Sequence, residues 1–212
     1  MIGICGYASI RPGQFFVNEI RESVPIDDFA PFIKDVYVRS GIAYPKFYKM
    51  DNLSKLAFVT AEHLLRGTDL AGRCRKDEIG VILVAPHSSL DTDCRHHASI
   101  ADGAEYSPSP AVFVYTLPNI MAGEICIRHG FQGENIVFAG DTFADDAVIS
   151  YITALFDSGK IKAAICGVVD FFEEEFSSDL FLVEERTGNS QDVSDVPGFT
   201  REEIARILSK SI

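Results

Sequence analysis

The run Glu78-Ile-Gly-Val-Ile-Leu-Val-Ala-Pro86 is an almost unbroken apolar stretch, closed by a charge at one end and a proline at the other. Successive side chains of a strand point to opposite faces, so a strand with one wet face alternates apolar and polar residues. A run without alternation is buried on both faces, as in a sheet covered by helices on each side. Gly133–Gly140 and Ile161–Val169 repeat the pattern, and Asp179–Glu185 reads as a last strand of the same kind. Between them lies a helical stripe from Thr142 to Ser158. Its residues Ala144, Ala147, Val148, Tyr151, Ile152, Leu155 and Phe156 fall alternately three and one apart, and Gly159 closes it.

The remaining segments fit the same architecture. Ile2–Ile10 predicts a first strand ending at Arg11-Pro12-Gly13, and the Phe- and Tyr-rich stretch from Gln14 to Lys49 reads as an irregular excursion over the core. Asp51 is placed to cap a helix with apolar positions Leu53, Leu56, Ala57, Thr60, Ala61 and Leu64, ended by Gly67. Ser88–Asp102 is polar and helix-compatible. After Ser107-Pro-Ser-Pro110 comes a helix with Pro118 near its first turn and Gly130 at its end. Thr187–Pro197 is loop-like, and Thr200-Arg-Glu-Glu203 is a capping box for a short final helix. Strands separated by helices predict the α/β class, with a mixed, mostly buried sheet and helices on both faces. The expected organisation is a domain over 1–186, then a polar linker and short helix over 187–212.

Charge and cysteines narrow the function. With 19 Lys+Arg against 31 Asp+Glu the chain carries −12, which argues against nucleic acid and anionic membrane as partners. A chain of 212 residues buries enough surface to need no disulfide or metal staple. Five cysteines without a repeated spacing, and an N-terminus without a basic leader, predict a reducing, cytoplasmic location. No window approaches the ~18 apolar residues of a membrane span.

Few motifs carry chemistry. At Gly140-Asp141-Thr142 a buried strand turns into a helix, whose N-terminus favours negative charge. Read plainly, Asp141 or Thr142 caps that helix while Asp145 and Asp146 complement its dipole. Asp91-Thr-Asp-Cys-Arg-His-His97 gathers metal-ligating types, but Asp93 and His97 are the pair well placed on one helical face, so no metal is expected. Glu173-Glu-Glu175 reads as a solvated acidic face or loop start. Gly3-Ile-Cys-Gly6 lacks the spacing of a dinucleotide loop, and no cofactor is expected.

The run from Tyr115 to Asn135, with Pro118-Asn119 and the turn Gly130-Phe-Gln-Gly-Glu-Asn135, resembles the N-terminal half of β-ketoacyl synthases. Met50-Asp51 resembles that family's helix opening. Asp157-Ser-Gly-Lys160 with Ala163-Ala-Ile-Cys-Gly-Val-Val-Asp170 resembles its strand after the nucleophile helix. Counted from Gly133, the family's nucleophilic cysteine falls at Thr142, where no base is evident. The family's catalytic histidines and lysine belong to a second copy of the half-fold, and His63, His87, His96, His97 and His129 match none of those positions.

The resemblance implies a half-length, non-catalytic partner of a full-length ketosynthase, like a chain-length factor in type II polyketide or aryl polyene systems. It implies a dimer seam at Asn135, Ile136, Val137, Phe138 and Ala139, and acyl-tunnel or interface positions at Phe113, Val114, Tyr115, Leu117, Asn119, Met121 and Phe143. The acyl carrier protein, being acidic too, would meet the catalytic partner and this chain only indirectly. The alternatives are a stand-alone acyltransferase acting through Thr142 or a cysteine, and an acyl-binding homodimer.

Overall fold

The computed structural model describes residues 1–18, 20–101, 108–186 and 196–209. Its strands are β1 (Ile2–Arg11), β2 (Gln14–Val17), β3 (Ile20–Ser23), β4 (Ile79–Val84), β5 (Asn135–Phe138), β6 (Ala163–Phe172) and β7 (Glu175–Glu185). They form one sheet in the order β3-β2-β1-β7-β6-β4-β5. β4 pairs in parallel with β5 and β6, and the other pairings are antiparallel. The helices are α1 (Phe29–Arg39), α2 (Asn52–Leu65), the single turn α3 (Leu70–Arg73), α4 (Leu90–Ala101), α5 (Pro110–Val114), α6 (Ile120–His129), α7 (Asp146–Asp157) and α8 (Arg201–Leu208).

The unbroken apolar run does what its lack of alternation requires. Every residue of β4 is buried. Ile79, Val81 and Leu83 pack into a core shared with α1, α2 and α6, while Ile82 and Val84 face a second core made with α7 and α8. β6 divides in the same way, Ala163 and Ile165 to one side and Ala164 and Cys166 to the other. In β1 the register slips between Ile4 and Gly6, a bulge at Cys5. It explains why Ile4 and Tyr7, three apart, both face the α7 core while Ala8 and Ile10 face the other.

Four local expectations change. Gln14–Lys49 is not an irregular excursion: β2 and β3 extend the sheet antiparallel to β1, and α1 follows. The helix expected after Pro110 is two, α5 and α6, with Pro118 in the break between them, because proline lacks the N–H a continuous helix needs. β7 begins at Glu175, earlier than expected, as the second arm of a hairpin with β6. Glu173 and Glu174 form its turn with φ of +50° and +68°, so this acidic pair is hairpin turn, in a left-handed conformation more usual for Asn-Gly. The fourth change is the start of α7, at Asp146.

The expected linker at 187–195 lies outside the described residues. The final helix is α8, capped by Thr200, whose hydroxyl accepts from the Glu203 N–H at 3.3 Å. It lies against the sheet: the Ile4 N–H donates to the Pro197 carbonyl at 2.8 Å, and Phe199 and Ile204 are buried in the α7 core.

Candidate functional site

β4, β5 and β6 run parallel, with Val84 paired to Phe138 on one side and Val168 on the other. Their carboxyl ends therefore share one edge of the sheet, where α/β folds place ligands and reacting groups. The loop from β5 to α7 leaves from that edge. Phe143 turns inward from it, 1% exposed, and its ring stacks on Phe181 at 5.6 Å. Holding that ring in the core keeps the chain non-helical, and α7 starts at Asp146, four residues later than expected. Its cap is Asp145, whose Oδ1 accepts from the Ala147 N–H at 2.7 Å. Neither Asp141 nor Thr142 takes that role.

Thr142 is exposed and its hydroxyl accepts from the Ala144 N–H at 3.2 Å, a local turn. Among the described residues no imidazole, lysine or carboxylate is hydrogen-bonded to it. A neutral hydroxyl without a base to take its proton is a poor nucleophile.

The same edge carries a pair that sequence reasoning missed. His87, just beyond β4, has Nδ1 2.8 Å from Asp170 Oδ2 on β6, and its backbone N–H donates to Asp170 Oδ1 at 3.0 Å. The ring lies flat against Phe172 with centroids 5.0 Å apart. An imidazole oriented by a carboxylate is the usual form of a general base, although no nucleophile is hydrogen-bonded to it among the described residues. The two residues stand 83 apart, so no local motif signals them.

β5 closes this side of the sheet and pairs with β4 alone. Asn135 is exposed and its amide donates to Cys126 Sγ at 3.2 Å; Ile136, Val137 and Phe138 are half-buried. Phe138 meets Tyr151 of α7 edge-on at 5.5 Å. On α5 and the turn after it, Phe113 and Leu117 are 56% and 51% exposed, with Val114 beside them. Asn119 is exposed at the start of α6. Tyr115, Met121 and Phe143 lie instead in the packed interior. The Tyr115 hydroxyl donates to Glu124 Oε1 at 3.0 Å, and burial together with that carboxylate raises its pKa well above the ordinary phenol range. Tyr115 is thus a neutral donor that pins α6 to the turn before it.

Elsewhere, Asp93 Oδ2 accepts from the Ser89 hydroxyl at 3.1 Å. Among the described residues no three His, Cys, Asp or Glu side chains converge to hold a metal, and no helix is long and apolar enough to cross a membrane.

A mixed sheet with a strand–loop–helix unit at its parallel edge, a second core beneath it and an open edge strand beside it defines a ketosynthase-type α/β half-fold. The chain belongs to the β-ketoacyl synthase family: the family model of the β-ketoacyl synthase N-terminal domain matches residues 39–187. Among solved structures it is similar to the ishigamide ketosynthase/chain length factor, with TM-score 0.64 and 19% identity over 93% of this chain and 64% of that one. It is similar to the AntDE:AntF complex, a type II polyketide synthase acyl-carrier protein with its ketosynthase bound to the hexaketide. There the TM-score is 0.61 and the identity 13%, over 87% of this chain and 62% of that one. The ketosynthase ApeO in complex with its chain length factor ApeC from Xenorhabdus doucetiae gives TM-score 0.58 and 15% identity, over 88% of this chain and 80% of that one. The chain thus spans about two thirds of the length of the first two and more of the third. At these identities the likeness is one of fold. No curated protein matches the sequence.

Proposed function

We propose that this chain is a non-catalytic, chain-length-factor-like subunit that pairs with a full-length β-ketoacyl synthase in polyketide- or fatty-acid-type chain elongation, in the cytoplasm. The observation that carries the reading is the β5–α7 turn. Where the family places its nucleophile stands an exposed Thr142, tied to the Ala144 N–H and without a base. The open apolar edge of β5 supports it, because such an edge needs covering. So does the exposed patch of Phe113, Val114 and Leu117. Two of the similar solved structures are described as ketosynthases with chain length factors, which is consistent with this pairing. An aryl polyene system is the pathway type we favour.

In this reading β5 and the α5 patch meet the ketosynthase. Asn119 borders the patch, Tyr115 and Met121 support it from the core beneath, and Phe143 fixes the loop after β5 from the opposite core. The carrier protein then docks on the catalytic partner. Mild tagged purification from the source cells followed by native mass spectrometry tests it. A stoichiometric complex with a full-length ketosynthase is expected, and Phe138→Asp should release the partner while leaving the far-UV circular dichroism intact. A lone homodimer, or an acyl adduct on Thr142, would overturn it.

A further inference from the structure

A cavity of about 260 Å³ opens between the first turn of α2, α4 and α5. Three cations line it: Lys49 just before α2, Lys55 on α2 and Arg95 on α4. Among the described residues none of the three makes an ion pair with a carboxylate. The acid on the wall, Asp51, is already engaged. Its Oδ1 accepts from the Ser54 N–H at 3.0 Å as the cap of α2, and its Oδ2 accepts from the Thr92 hydroxyl, also at 3.0 Å. Asp91, one turn before Arg95 on α4, feels the Arg95 charge and does not line the cavity.

Lys55 is there at a disadvantage. Burial lowers the pKa of the Lys55 ammonium, Asp51 opposes that, and the like charge of Arg95 adds to it. In a chain of −12, where carboxylates outnumber cations, three basic groups line one hollow against a single carboxylate, Asp51. An anion between them would supply the missing counter-charge. The lining also carries apolar surface, from Met50, Ala111, Val112 and the ring of Tyr115, beside the polar Asn52 and Thr92. The volume sits just under the ~300 Å³ at which small-ligand pockets begin, so the occupant is small.

We propose that this cavity binds a small organic anion, a carboxylate or phosphate head held between Lys55 and Arg95 with a short apolar body against Met50, Val112 and Tyr115. The site adjoins the α5 face proposed to meet the ketosynthase, and titration of the chain alone tests it without that partner. Its chemistry is a charged head on an apolar stub. A free carboxylic acid and a phosphate monoester both carry it, and the measurement separates them.

The experiment is isothermal titration of the full chain with octanoate and, separately, with phenyl phosphate, at constant ionic strength in chloride. One-to-one saturable binding of at least one ligand is expected, and the stronger arm identifies the head group. Lys55→Met and Arg95→Met should each weaken it at least tenfold, with the melting temperature unchanged. Val112→Glu, which places a carboxylate in the cavity, should abolish it. If the Lys55 variant fails to fold, Arg95→Met alone decides, because Arg95 is exposed. Binding no tighter than that of chloride, or binding that survives either Arg95→Met or Val112→Glu, would overturn the proposal.

Discussion

β4 and β5 are adjacent, parallel and in register, and both are mostly apolar, yet all of β4 is buried and none of β5 is. The difference lies in neighbours: β4 is flanked by β5 and β6, whereas β5 has β4 alone. An apolar run therefore specifies a strand without specifying its place in the sheet. In β4 the apolar residues complete the chain's own core. In β5 they pack against both cores yet stay half-exposed, and an uncovered apolar edge invites another chain.

Placing one charge in each strand tests this contrast most severely. Ile82 is wholly buried between β4 and α7. Ile82→Asp loses ~1.5–3 kcal/mol of apolar burial and leaves an unpaired carboxylate in the core. The sum approaches the ~5–15 kcal/mol that holds a domain together, so no cooperative urea transition is expected. Phe138→Asp puts the same group on a half-buried edge where it can reach water. It should cost no more than about 2 kcal/mol while removing the partner. Equal loss of stability in the two variants, read from urea unfolding, would erase the distinction between core strand and seam strand.

A smaller effect separates the sheet interior, here β6, from the β5 edge by shape rather than charge. Gly167 on β6 has a φ of +155°, and a Cβ there would stand 1.9 Å from the Asp179 carbonyl oxygen of β7. Neither backbone can retreat without breaking the ladder, so Gly167→Ala should destabilise by about 3 kcal/mol. Gly140, just past β5, would meet nothing closer than Val84 Cγ1 at 3.9 Å. Gly140→Ala should stay within about 0.5 kcal/mol. Paired thermal melts measure both. A large loss at Gly140 would mean that the end of β5 is packed as tightly as the sheet interior.

How much of this could be read beforehand follows from which features are local. The central strands and the body of the α7 stripe are patterns within a dozen residues, and the structure has each of them, with altered starts for α7 and β7. The helix α1 is just as local, with Phe29, Phe32, Ile33, Val36 and Tyr37 on one buried stripe. Pro31 obscures it, although a proline in the first turn removes an N–H that has no partner there anyway. The family is legible because its motifs keep their order along the chain. The edge position of β5, the meeting of His87 with Asp170 and the cation-lined cavity are products of topology, and no short window contains them. The start of α7 was missed because a core position for Phe143, a tertiary demand, outweighed the helical spacing of the residues around it.

That last miss yields the finest test. If Asp145 caps α7, Asp145→Ala removes the acceptor for the Ala147 N–H and a negative charge at the helix start, at a cost of about 1 kcal/mol. Thr142→Ala removes only a bond inside an exposed loop and should fall within about 0.5 kcal/mol, with product output of the intact pathway unchanged. Chemical denaturation of both variants under one set of conditions resolves a difference of this size. The reverse order would mean that α7 begins at Thr142 in solution. The strand would then lead straight onto a helix N-terminus, as the sequence pattern alone predicted, and Thr142 would stand among N–H groups able to stabilise an anion. The reading of β5 as a strand that serves only to meet a partner would lose its main support. With Asp145 the cap, the turn beyond β5 remains a loop shaped by one buried ring, which is what the proposed pairing role of this edge requires.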